Sequence, residues 1–193
     1  MTASHTINIP NHLNLTNAVQ FARKITELPE SKIFIPDFSA LRWIEPFAML
    51  ILAQAFCDLK DRYPQAAVIM RTPDSEACSY ADWMGFFKAS QLRDTCPDAP
   101  GSEAYIPVTF EKVSNIEGRV IPQERIPEIA KKLAERLLQQ DSGNLFTAVV
   151  FSFQEIIRNV IEHSESDSFG YCAQRWLKGP NEGVVELGCV CKL

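Results

Sequence analysis

An α/β fold, a sheet covered by helices and followed by a partial α/β sandwich, is predicted by three features of this 193-residue chain. Short apolar runs of strand length alternate with helix-length stretches through the first ninety residues. A proline- and glycine-containing break, QLRDTCPDAPGSE at 91–103, interrupts that rhythm. Beyond it come one strand-like run, two helical stretches and two further strand-like runs. Alternation of this kind buries a sheet under helices on at least one face.

The elements follow in order. HTINIP (5–10) reads as a short strand, and LTNAVQFARKITEL (15–28) as an amphipathic helix. Val19, Ala22, Ile25 and Leu28 form its stripe, with Thr16 or Asn17 available as a cap. KIFIPDFS (32–39) is a second strand. IEPFAMLILAQAFCDLKDRY (44–63) is a more apolar and better buried helix, with Pro46 tolerated in its first turn. AAVIMR (66–71) has strand length, and SEACSYADWMGFF (75–87) reads as a third helix. Trp43, Trp83, Phe86 and Phe87 are expected in the core. The stretch 91–103 is the expected linker. AYIPVTF (104–110) is a strand, and IPEIAKKLAERLLQQ (126–140) a helix with Ile129, Leu133 and Leu137 in register. GNLFTAVVFSFQEIIRNVIEHS (143–164) is a long helix. FGYCAQRWLK (169–178) and GVVELGCV (183–190) are the last two strands. No internal repeat or low-complexity tract appears.

Composition narrows the function classes. Hydrophobic residues make up 46% and charged residues 22%, an ordinary globular balance. A net charge of -5 argues against nucleic-acid binding, which draws on a basic excess. The longest apolar stretch, PFAMLILAQAFC (46–57), is too short to span a bilayer. The N-terminus lacks the basic start and apolar run of a signal peptide. Six cysteines, at 57, 78, 96, 172, 189 and 191, include no CxxC pair. They read as free, mostly buried thiols, and the expected location is cytoplasmic.

The chemistry concentrates in FQEIIRNVIEHSES (153–166), where Glu155, Asn159 and His163 stand four residues apart. Four residues is close to one helical turn, so the three project from one side. Phe146, Val149, Val150, Phe153, Ile156, Ile157, Val160 and Ile161 form the core stripe. Glu155 and Asn159 fall nearly opposite it, and His163 at its flank. One reading is a solvated face, with Arg158 and Glu162 as an i,i+4 ion pair. The other is a phosphoryl-transfer site. A carboxylate can orient or deprotonate a nucleophile, and an amide oxygen one turn away is a hard ligand suited to Mg²⁺.

EIIRNVIEHS resembles the N box of the Bergerat-fold (GHKL, histidine kinase-like) ATPases. Glu, Asn and His at steps of four are especially similar to the anti-sigma-factor serine kinases of bacterial partner switching. The resemblance covers about residues 126 to 190, including the hairpin after the helix. It implies ATP and Mg²⁺ as cofactors, with Asn159 as metal ligand, Glu155 as catalytic base and His163 supporting the nucleotide pocket. In the family the last strand runs into a D-x-G-x-G box whose Asp binds the adenine amino group, and a glycine-rich lid follows. Here VVELGCV is followed by CKL. The ATP site is therefore expected to be incomplete within this chain, and ATPase or serine kinase-like activity to require its completion.

PDFSALRWIEPFAMLI resembles the centre of STAS domains, the fold of anti-anti-sigma factors, over about residues 5 to 90. In that family a Ser at the start of the helix accepts phosphate. At the matching positions stand Glu45, Pro46 and Phe47, with no hydroxyl. Glu45 either mimics a negative charge or favours the helix dipole, and Ser39 reads as a turn or cap residue. Asp37 and Arg42 flank a loop that is either a partner-binding edge or simply solvated. The expected organisation is a STAS-like domain (1–90), a linker (91–103) and a partial ATPase domain (104–193). The expected function is ATP-binding regulation of the partner-switching type, with a protein partner and self-association through the C-terminal edge strand 183–190. A non-catalytic interaction module with a vestigial ATPase helix is the alternative. Neither nucleic acid nor membrane is an expected partner.

Overall fold

The computed structural model describes residues 4–93, 99, 101–112, 125–163, 168–179 and 182–191, with His163 and residues from 176 onward described by backbone alone. The fold is α/β. It comprises two compact units, residues 1–99 and 100–193.

The first unit is built on a parallel sheet in the order β1 (Ser4–Asn8), β3 (Ile33–Asp37), β5 (Ala67–Val68). A single bridge, Asp37 to Arg71, extends the last pairing. A second, minimal parallel pair joins β2 (His12–Leu13) to β4 (Trp43–Ile44). Parallel neighbours need crossovers, supplied by α1 (Leu15–Thr26) and α2 (Pro46–Arg62), which pack on each other. In β3 the buried residues are Phe34 and Pro36, two apart, as one covered face demands. α2 starts with Pro46 at its first position, where the missing N–H costs nothing, and is buried from Ala48 through Phe56 on every side.

Four expectations for this unit need correction. The cap of α1 is Asn14, which accepts from the Asn17 N–H at 3.1 Å while Asn17 Oδ1 accepts from the Asn14 N–H at 2.9 Å. The buried stripe of α1 runs through Ala18, Ala22 and Ile25, which leaves Val19, about 100° away, exposed. The third helix does not continue to 87. α3 (Glu76–Trp83) stops before Gly85, which sits in the left-handed region at φ 75°, and α4 (Phe86–Ala89) follows as a separate helix. Phe86 and Phe87 of α4 pack on Phe38, with ring centroids 6.0 and 5.3 Å away in edge-on geometry. Trp43 and Trp83, expected in the core, are both close to half exposed.

The second unit is an antiparallel sheet in the order β6 (Tyr105–Lys112), β7 (Ser168–Gly179), β8 (Glu182–Cys191). α5 (Arg125–Leu138) and α6 (Asn144–His163) pack on each other. Ile129, Ala130 and Leu133 of α5, Ile157 and Ile161 of α6, and Phe169, Tyr171 and Ala173 of β7 form one core. The alternate residues 169, 171 and 173 all reach it because side chains on a strand repeat every two positions. Arg125, at the start of α5, bonds Glu128 on its own helix and Glu111 on β6. Tyr171 Oη lies 3.4 Å from the same Glu111 carboxylate, and burial, followed by that negative charge, pushes its phenol well above the ordinary value.

Candidate functional site

The polar row singled out by its spacing lies on α6. Phe146, Ile157 and Ile161 are buried on one side of this helix, with Val150, Phe153 and Val160 packed partly against the same core. Glu155 and Asn159 fall opposite and are exposed. Successive steps of four keep them one turn apart on that outer side. His163 is the last residue of the helix. Ile156, expected in the core stripe, is 48% exposed and borders the polar row instead. Leu145 and Phe151 are also exposed.

Arg158 pairs with Glu155, Nη1 to Oε1 at 2.5 Å, rather than with the Glu162 expected from i,i+4 spacing. Both side chains are about half exposed or more, 46% and 63%. An ion pair this open is worth at most about 0.5 kcal/mol, so the guanidinium can swing aside at little cost. The Asn159 side chain makes no hydrogen bond among the described residues.

The donor chemistry fits Mg²⁺: a carboxylate and an amide oxygen are hard ligands, one turn apart and open to solvent. Mg²⁺ favours such a pair when substrate phosphates and water complete its octahedron. Among the described residues no group of three or more His, Cys, Asp or Glu is gathered to hold a metal by itself. The described residues here thus offer one carboxylate and one amide oxygen to a metal–phosphate site.

A second group of polar residues surrounds the carboxyl end of the parallel sheet. Asp37 Oδ1 accepts from the Ser39 N–H at 2.9 Å, and its Oδ2 lies 3.4 Å from Arg71 Nη1. Ser39 thus belongs to a turn organised by Asp37. Hydrogen bonds from Ser39, hydroxyl first and then backbone, hold the Asp37 carboxyl below its ordinary value, and Arg71 adds to this. Arg42 turns back onto its own loop, with Nη1 3.3 Å from the Leu41 carbonyl. Glu45 stands at the N-cap of α2, where its carbonyl accepts from the Met49 N–H at 3.0 Å but its side chain makes no bond to that helix. Its Oε2 accepts from the backbone N–H of Leu15 at 3.2 Å instead. The Arg71 partner and the Leu15 contact join residues about thirty positions apart, so no local motif announces them.

Cys57, Cys78 and Cys172 are free thiols, the last two buried. Among the described residues no helix is long and apolar enough to cross a membrane. No model of a known family, no curated protein and no solved structure matches this chain.

Proposed function

We propose that this protein is an ATP-binding regulator that combines a STAS-like interaction module, residues 1–90, with the first part of a Bergerat-fold ATPase, residues 104–193. The observation that carries the reading is the placement of Glu155 and Asn159 one turn apart on the outer side of a helix whose inner side is committed to the core. A buried row would exclude a ligand, and this row is open to one. Asn159 Oδ1 is the candidate ligand for Mg²⁺, and Glu155 the candidate base that orients or deprotonates a hydroxyl or water once Arg158 moves aside. His163, at the helix end, supports the nucleotide pocket. Bound Mg²⁺ would supply neutralisation of phosphate charge. The proposed setting is cytoplasmic, with a protein partner for the first unit.

One observation favours a non-catalytic interaction module instead. The Glu155 carboxylate is already engaged by Arg158, as on an ordinary solvated helix. Calorimetry with MgATP separates the two readings. The ATPase reading expects weak saturable binding, with Kd about 1 mM or about -4 kcal/mol, that disappears in Asn159→Ala. Heat that does not saturate, or an Asn159→Ala variant that titrates like the parent, supports the interaction module.

Self-association belongs to the same proposal. Among the described residues β8 is an edge of the sheet, and an edge strand carries backbone donors and acceptors on its outer side that can pair with another chain. Sedimentation velocity should show a species larger than the monomer growing with concentration. A single monomer boundary at the highest concentrations would remove this part of the proposal.

A further inference from the structure

Helix α6 changes character along its length. Residues 144–154 include no charged side chain, whereas the rest of the helix carries Glu155, Arg158 and Glu162. The outer face of a surface helix ordinarily bears charge. Here it presents Asn144, Leu145, Thr147, Ala148, Phe151 and Ser152, all exposed, with Leu145 at 60% and Phe151 at 61%. Its two hydroxyls are already satisfied. Thr147 Oγ1 donates to the Gly143 carbonyl at 3.1 Å, and Ser152 Oγ to the Ala148 carbonyl at 3.0 Å. Such a face can leave water without stranding a charge or a hydroxyl.

Two further features fit a second copy of this chain to it. The first is symmetry: the large residues Leu145 and Phe151 stand three positions either side of the small Ala148. Two such helices, antiparallel about a two-fold axis at Ala148, set Leu145 of each against Phe151 of the other. A two-fold contact demands that self-complementarity, in which residue i meets j and j meets i. The second is position. α6 packs on β8, which is an edge of its sheet among the described residues. A two-fold axis normal to the sheet at that edge pairs β8 with its copy antiparallel and keeps both α6 helices on one face. Leu145 and Phe151 together offer roughly 200 Å² of apolar surface per chain, short of the about 800 Å² per partner of a stable interface. The 10 residues of β8, about 33 Å of strand, contribute the larger share, so the two contacts act together.

We propose that residues 144–154 of α6 form a helix–helix contact between two copies of this chain, centred on Ala148 and continuous with the paired β8 edges. The inference rests on the self-association proposed above. Glu155 and Asn159 lie toward the other end of the helix, outside the contact.

The test is sedimentation velocity on the full chain, comparing the parent with Leu145→Glu and Phe151→Glu, each checked for folding by circular dichroism. Either carboxylate would be buried unpaired in the contact, so each variant should raise the dimer dissociation constant at least about tenfold. Ala148→Cys, mildly oxidised, should give a covalent dimer joined between the two copies of position 148, identified by mass spectrometry of the digest. Association that both glutamate variants retain overturns the helix contact and leaves the β8 pairing standing. Where a glutamate variant fails to fold, the cross-link decides: an Ala148→Cys dimer without it overturns the contact equally. A parent that stays monomeric at the highest concentrations overturns both, and leaves this face to a membrane or an unrelated protein.

Discussion

The carboxylate of Glu45, the N-cap residue of α2, accepts a hydrogen bond from the backbone N–H of Leu15, the first residue of α1. One helix start therefore caps another, thirty residues away in sequence. The first N–H groups of a helix have no partner inside it, and the negative charge also suits the positive end of the α1 dipole. Glu45→Ala should lower stability by about 0.5–1 kcal/mol, the lower part of the range for lost caps, because Asn14 still serves α1. Glu45→Gln keeps an acceptor and should lose less. Urea unfolding measures both, and an unchanged midpoint in Glu45→Ala would leave the contact without energetic meaning.

Asp37 makes a second prediction, about acid. Its carboxyl is held below the ordinary value by Ser39 first and by Arg71 after it. A depressed carboxyl contributes stability that is present above the unfolded-state value, about 4, and is lost as pH falls through the lower folded-state value. Asp37→Asn should therefore be less stable than the parent at neutral pH, and the gap should close below about pH 4. Melting temperatures of both proteins from neutral to acid pH check this. A gap that stays constant across the series would contradict the assignment.

Cys57 is predicted to be a sluggish thiol. Burial first, then the charges of Asp58 and Asp61, push it up to about 11. At pH 8 only about one thiol in a thousand is then ionised, and the thiolate is the species that reacts. Iodoacetamide at pH 8 should leave Cys57 unmodified in the folded protein and label it after unfolding, read by mass spectrometry of the digested chain. Prompt labelling of the native protein would show that the thiol is ionised or that α2 opens locally.

Long-period patterns were legible in this sequence, and choices between near neighbours were not. The apolar run of α2 and the three-and-four spacing of α6 required helices at 46–62 and 144–163, because no strand could present those residues to one core. Within α6, Ile156 and Ile157 are equally apolar, yet only Ile157 faces the core. Which one turns inward depends on where the sheet lies. Arg158 had carboxylates at both i-3 and i+4, and rotamer geometry, invisible in the sequence, selected Glu155. Gly85 did carry a readable signal, since glycine is the usual left-handed stop of a helix. The strands β2 and β4, two residues each, are too short for any periodicity. For the site, the spacing of Glu155 and Asn159 put both on the outer side of α6, whereas the bond from Leu15 to Glu45 joins residues thirty positions apart and leaves no local signal.

The two sides of α6 should respond differently to the same truncation. Ile157 is fully buried in the core cluster that includes α5 and β7 residues, so Ile157→Ala should cost about 2–5 kcal/mol through lost burial and the cavity left behind. Asn159 and Glu155 are exposed, and replacing either with Ala should change stability by about 0.5 kcal/mol or less. Asn159→Ala can even stabilise slightly, alanine being the better helix former. Urea unfolding of the three variants therefore separates the core side from the outer side without any ligand. The outer side then has its own test, in a chain extended by the D-x-G-x-G strand and lid of the Bergerat fold. There Asn159→Ala should abolish Mg²⁺-dependent nucleotide binding, because a metal oxygen ligand is lost. Glu155→Gln should retain binding and slow turnover by roughly 10²- to 10⁴-fold, the usual contribution of a positioned general base. If both variants match the extended parent in affinity and turnover, Glu155 and Asn159 are a solvated face and the regulator acts through protein contacts alone.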